Sequence, residues 1–331
     1  MRKTSLLFFF FLLVTQPQAQ EFFSEKRILK LMGCRFEITA IAIDKPTAIK
    51  AVDAGITEIS RIEDLISEWL PSSQVSIIND QAGIAPVKVV KELFDLTFRS
   101  KKVSELTNGA FDISFASMDK IWHFDRSEQE LPDSATVKKA AIHINWKNIL
   151  LDAKEQTVFL KETGMKIGFG AIGKGYAANR AKSVMKLIPG VTGGLVNASG
   201  DLIAWGQSNH KDGWSIQIAD PKDKNKTLGW IRLNDLSIVT SGDYEKYFTS
   251  KGIRYAHIIN PKTGYPITNI KSATIICPDA ELSDALATSV CVLGVEKGLD
   301  LVNRLNGVEC LIVDANDNIF TSDKLQLNYY K

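Results

Sequence analysis

Several things are scarce in this sequence, and each scarcity removes a class of function. Histidine occurs 4 times and cysteine 4 times in 331 residues. Cys34, Cys277, Cys291 and Cys310 lie far apart with no C-x-x-C pair, so a thiolate metal cluster is not expected. Charge of one sign is also lacking. With 40 Lys and Arg against 38 Asp and Glu, the net charge of +2 gives no electrostatic case for nucleic acid. No internal repeat, low-complexity tract or linker-like composition shift divides the chain. Long apolar runs are missing too, apart from one at the N-terminus.

That run, Leu6 to Val14 in "MRKTSLLFFFFLLVTQPQAQ", follows Arg2 and Lys3 and leads into a polar stretch ending at Ala19. It is short for a membrane span and has the three-part layout of a secretory signal. The expectation is a cleaved signal at 1–20, a single exported domain over 21–331, and a periplasmic location. A retained signal would instead leave the protein membrane-associated. Export permits one disulfide, whose pairing sequence does not define. Cys277, Cys291 and Cys310 sit in apolar runs, where a thiol behaves as a small buried hydrophobe.

Hydrophobic spacing outlines the elements. Phe36, Ile38, Ala40 and Ala42 alternate as in a half-buried strand. Val52, Ile56, Ile59, Ile62, Ile66 and Trp69 recur at helical steps and predict a helix over 47–70, ended by Pro71. A second helix fits 90–106. "TVFLKETGMKIGF" reads as a hairpin feeding a glycine loop, and 174–188 as the helix after it. Beyond Gly190, strands alternate with turn residues. A helix begins near Ser283, a further one covers 295–305, and two strands turning at Asn316-Asp317 finish the chain. Helices and strands mix without strict alternation, so the fold class is α+β with mixed or antiparallel sheets.

The glycine loop "IGFGAIGKGYAAN" (167–179) matches two phosphate motifs imperfectly. Gly168, Gly170 and Gly173 spell G-x-G-x-x-G, yet the loop is mid-chain and no acid lies about 20 residues on to hold a ribose. Gly175 follows Lys174 where a P-loop needs Ser or Thr for magnesium. What remains is the physics both share: free backbone N–H groups, a helix N-terminus and a lysine, all suited to phosphate. A tight strand-to-helix turn without ligand is the plainer alternative.

Three other clusters carry chemistry. Around "SGDYEKYFTSKGIRYAHIINPKTGYP" (241–266), His257 stands with Asp243 and Tyr244 near in sequence. In "SDALATS" (283–289), Asp284 and Thr288 share a helix face, a carboxylate beside a hydroxyl that suits a hard cation. Asp284 as a helix cap is the competing reading. "NGAFDIS" (108–114) is a helix stop with one aromatic and one acid.

In order along the chain, "MGCRF", "RIEDLISEWLPSSQVSIIN", "GAFDIS", "GAIGKGYAAN", "LVNASGD", "TSGDYEKYF", "HIINPKTGYP" and "SDALATS" resemble the ApbE-like FAD:protein FMN transferases over nearly the whole mature chain. The resemblance implies a T-fold-like α+β architecture, not a Rossmann fold, and an exported enzyme that cleaves FAD with magnesium. FMN then joins Ser or Thr of an acceptor protein and AMP leaves; acceptors of this kind are subunits of membrane electron-transfer complexes. It further implies that Met32, Trp69, Ala110, Phe111, Asp112, Lys174 and Ile259 line the FAD site, with Asp243 and Tyr244 shaping the pocket. The Ala171 carbonyl, Asp284 and Thr288 would hold magnesium, and His257 would move the proton. Two departures stand out: Gly168 where the family has Asp, and Cys34 where it has Thr. Trp69 occupies a position that is aromatic in typical transferases, which favours transfer over hydrolysis. FAD hydrolysis to FMN and AMP, and FAD binding without turnover, remain the alternatives.

Overall fold

The computed structural model describes residues 22–208, 213–219, 227–243 and 246–328. The expected signal segment and Tyr244 lie outside the described residues. The expected α+β class is what forms. Eight strands make one antiparallel sheet in which spatial order follows chain order: Phe23–Leu31, Cys34–Ala42, Val191–Ala198, Asp201–Gly206, Leu236–Gly242, Ile270–Cys277, Glu309–Asp314 and Ile319–Thr321. Helices and smaller ribbons are inserted between these neighbours. The alternating Phe36, Ile38, Ala40 and Ala42 are all fully buried.

Helix α1 (Lys45–Ile66) starts at Asp44, whose carboxylate accepts the Thr47 N–H at 2.7 Å. It ends one turn earlier than the apolar spacing suggests. The Ser67 hydroxyl accepts the N–H groups of Trp69 and Leu70 at 3.2 and 3.1 Å, a local turn that competes with the helix before Pro71 is reached. Short α2 (Gln74–Asp80) follows, then α3 (Lys91–Leu106), as its spacing predicted. Short α4 (Ser134–Ala140) precedes a small sheet. There the hairpin differs from expectation: Thr157–Leu160 pairs with the preceding Ile149–Asp152, and 165–169 runs on as an irregular segment into the glycine loop.

Helix α5 (Gly173–Lys186) follows that loop, and α6 (Ala280–Asn303) packs beside it. α6 begins before Ser283. Its cap is Asp279, which accepts the Glu281 and Leu282 N–H groups at 2.9 and 3.2 Å. The two helices expected there both form within this span, separated at Gly294, whose backbone is non-helical (φ 80°, ψ −177°). α1, α5 and α6 cover one face of the sheet, burying Ile59, Ile62, Ala181, Met185, Leu286 and Val290. A two-stranded ribbon, Trp214–Ala219 with Thr227–Leu233, packs Ile218 and Ile231 on Leu195, Leu202 and Leu311. The central strands therefore read as near-continuous apolar runs.

The four cysteines are free, and Cys277, Cys291 and Cys310 are buried, as expected of apolar thiols. Among the described residues no helix is long and apolar enough to cross a membrane.

Candidate active site

Two tight hairpin turns lie side by side at one end of the sheet. Met32-Gly33 joins the first two strands with both φ values positive (48° and 73°), and Ser199-Gly200 joins the next pair at 52° and 106°. The Arg35 N–H donates to the Ser199 hydroxyl at 3.2 Å, which ties one turn to the other. A left-handed methionine is costly and a poor choice for such a turn. Its side chain reaches the glycine loop: Met32 Cε lies 3.6 Å from where a Cβ on Gly173 would stand.

The glycine loop owes its composition to space. A Cβ on Gly173 would meet Ile66 Cδ1 at 2.6 Å. On Gly175 it would overlap the Ala280 carbonyl group and meet Asp284 Cβ at 2.9 Å. Gly175 thus replaces the P-loop hydroxyl residue because the N-terminal turns of α5 and α6 touch there. A Cβ on Gly170 would find nothing within 4 Å, so that part of the loop faces open space.

Three charged side chains converge at this junction. Lys174 Nζ is 2.5 Å from Asp201 Oδ2, and Asp284 Oδ2 accepts the Gly175 N–H at 3.0 Å. Asp201 is 1% exposed and Asp284 3%. Burial, reinforced by the Asp284 carboxylate, pushes Asp201 up to about 7 against the pull of Lys174. Burial raises Asp284 likewise, opposed by Lys174 and by the Gly175 and Lys174 backbone N–H groups. Burial alone would lower Lys174, but Asp284 and Asp201 outweigh it and hold the ammonium above its ordinary value. Two buried carboxylates share one ammonium, so a further cation would be favoured there.

The magnesium residues expected from sequence lie around this cluster. Asp284 is not the cap of its helix, which leaves its carboxylate at the α5–α6 junction. Thr288 is one turn further along α6, with its Oγ1 3.5 Å from Ser241 Oγ, and Ala171 immediately precedes Ile172, the N-cap of α5. Among the described residues no three His, Cys, Asp or Glu side chains form a metal-binding group. One carboxylate, one hydroxyl and one carbonyl with water are a sufficient set for a hard cation such as magnesium. The residues fit that group.

The other predicted residues occupy neighbouring segments. Ala110 and Phe111 are buried. Asp112 is engaged on both oxygens: Oδ1 accepts the Ser114 N–H at 2.8 Å and Oδ2 the Trp146 N–H at 3.0 Å. It shapes the turn at Ile113–Ser117, and that turn meets the glycine loop where the Gly168 N–H donates to the Ile113 carbonyl at 3.0 Å. Trp69 is 72% exposed beyond α1, with Lys120 Nζ 4.7 Å from its ring centre. Asp243 is buried and 3.6 Å from Arg254 Nη1; burial raises its carboxyl, opposed by Arg254 and Lys271. His257 is exposed and meets Phe124 edge-on at 6.5 Å between ring centres. Half-buried Ile259 packs on the cluster of Trp122 and Phe248. His257 and Ile259 therefore belong with the aromatic group, and Lys174, Asp201 and Asp284 form a separate buried charge cluster. Asp201 was not singled out from sequence; its signal was an acid directly after a Ser-Gly turn, opening an apolar strand.

This chain is similar to named relatives along most of its length. An "FAD:protein FMN transferase" of Klebsiella pneumoniae is 32% identical over 273 residues, covering 82% of this chain and 84% of that protein. One of the same name from Treponema pallidum is 31% identical over 287 residues, covering 82% and 79%. The crystal structure of an ApbE protein from Thermotoga maritima superposes with a TM-score of 0.81 at 30% identity, over 91% of this chain and 97% of that one. The apo flavinyl transferase ApbE of Pseudomonas stutzeri, at 23% identity, shares the fold with a TM-score of 0.81 over 92% and 96%. The ApbE family model matches residues 32–312. With the family model and the relatives agreeing over most of its length, this chain belongs to the ApbE family.

Proposed function

We propose that this protein is an FAD:protein FMN transferase that works with magnesium outside the cytoplasm. The observation that carries the reading is the junction of α5 and α6, where Lys174, Asp201 and Asp284 are buried together beside a glycine loop open at Gly170. Relatives named for this activity support it.

The chain's own residues account for the steps. The N-terminus of α5 and the Lys174 ammonium attract the pyrophosphate of FAD. Ala171, Asp284 and Thr288 would hold magnesium, which when bound neutralises charge on the phosphates. Asp201 fixes the Lys174 side chain. Trp69 presents an aromatic face to a ring of the substrate. His257 accepts the proton of the acceptor Ser or Thr hydroxyl as its oxygen attacks the FMN phosphorus. The bond from that phosphorus to the bridging oxygen breaks, and AMP leaves with the oxygen. A cleaved signal at 1–20 would deliver the domain to the periplasm. Flavin-carrying subunits of membrane electron-transfer complexes are the proposed acceptors.

Incubation with FAD and magnesium, with and without an acceptor domain bearing a suitable Ser or Thr, tests the reading. Covalent flavin on the acceptor with stoichiometric AMP is the expected result. AMP released equally without acceptor would mean hydrolysis, and no AMP at all would mean binding alone; either outcome overturns the transferase reading.

A further inference from the structure

Glu68 sits just beyond α1, beside Trp69, and makes no hydrogen bond or ion pair among the described residues. Its carboxylate nevertheless occupies a defined place. A Cβ on Gly168 would overlap Glu68 Oε2 and stand 3.1 Å from Glu68 Cδ and 3.1 Å from Ala116 Cβ. Gly168 has no positive φ, so its backbone does not require glycine. The space a side chain at 168 would enter is instead taken by the carboxylate end of the exposed Glu68 side chain. This is the position at which the resemblance to the family implies an aspartate.

Glu68 is an exposed side chain close to the open part of the glycine loop. Gly168 is hydrogen-bonded to Ile113, the residue after Asp112, and lies two residues before the open Gly170. Trp69 offers an exposed ring, with Lys120 4.7 Å from its centre. Burial raises the Glu68 carboxyl, while Lys120 and Lys166 favour its charge. A carboxylate here repels phosphate and accepts from neutral O–H or N–H groups.

We infer that Glu68 replaces the missing side chain at position 168 as the acceptor for a hydroxyl or N–H group of the flavin nucleotide. This rests on the proposed FAD site. The donor belongs either to the ribityl–flavin half or to the ribose–adenine half; the chemistry is the same.

Four proteins test it by FAD titration, thermal melting and steady-state transfer: E68Q, E68A, G168D and the double variant E68A/G168D. Loss of a hydrogen bond to a charged acceptor weakens FAD binding about 10- to 100-fold in E68A, and less in E68Q. KM for FAD rises while kcat changes little. Melting temperatures stay near the parent's, because Glu68 has no protein partner to lose. G168D alone sets two carboxylates in one space and also weakens binding. E68A/G168D restores most of the affinity, a non-additive result that a purely structural role would not produce. Titrations with FMN and with AMP assign the donor, since E68A weakens only the half it touches. Parent-like FAD affinity in E68A, or no recovery in the double variant, would overturn the inference. A wild-type protein that bound no FAD would instead overturn the functional reading, and this inference with it.

Discussion

Gly175→Ala is the change whose cost follows most directly from the structure. The new Cβ would meet the Ala280 carbonyl carbon at 2.6 Å and Asp284 Cβ at 2.9 Å, against 3.4 Å for ordinary contact. The shortfall at that carbon alone is about 0.8 Å, and a close-packed interior does not absorb it without movement. The first turns of α5 and α6 must separate, carrying Lys174 and Asp284 with them. Overpacking of this kind costs about 1–3 kcal/mol. Misplacing reactive groups by about 1 Å costs on the order of 100-fold in rate. The expected outcome is a modest fall in melting temperature together with a far larger fall in FMN transfer. Gly170→Ala is the control: its Cβ points into open space, so stability should hold. A Gly175→Ala protein with parental stability and parental transfer would refute the packing argument.

Other changes probe the remaining parts. Lys174→Met leaves two buried carboxylates without their ammonium, at a cost of about 3–5 kcal/mol. Raised carboxyls bind more protons folded than unfolded, so this variant's stability should fall as pH rises from about 4 towards 7. Chelator-treated thermal melts would show the gap to the parent widening over that window; a constant gap would contradict the assignment. Trp69→Ala should leave stability unchanged, since the ring is exposed, yet weaken FAD about 2- to 10-fold through lost stacking. Equal FAD affinity in a titration would remove Trp69 from the site. His257→Ala should slow transfer by about two to four powers of ten with FAD affinity retained. A parental single-turnover rate would end its role as base.

Much of the fold was legible because burial writes itself into spacing. Phe36, Ile38, Ala40 and Ala42 lie on one face of a strand that packs on α1, while Thr39 and Ile41 on the other face are buried too, so the strand is covered on both sides and not half-buried as its spacing suggested. The end of α1 was not legible, because Ser67 diverts the chain with its own side chain ahead of Pro71. The start of α6 was available in principle: Asp279 precedes Glu281 and Leu282, whose N–H groups it caps, but the apolar spacing drew attention to Ser283. The hairpin partner of Thr157–Leu160 escaped notice because Ile149–Asp152 is too short to show a period.

The site divides the same way. Lys174, Asp284 and Thr288 stood out through chemistry carried on local spacing or family motifs. Asp201 and Glu68 did not, because what marks each of them is a contact across the fold. Asp201 meets Lys174 from an adjoining strand, and Glu68 fills the space at Gly168 from the end of α1. Asp112, placed at the FAD site by the family resemblance alone, accepts N–H groups from Ser114 and Trp146 and so shapes a turn, a contact its local sequence does not announce.

The central claim is that Asp284 holds a divalent cation required for FMN transfer. The direct measurement is the mass of an acceptor domain after incubation with FAD and either the wild-type protein or Asp284→Asn, each with magnesium or with a chelator. The account predicts one FMN added per acceptor by the wild type with magnesium, and none in the other three reactions. FMN addition by the wild type at an undiminished rate in chelator, or by Asp284→Asn at the parental rate, would contradict it.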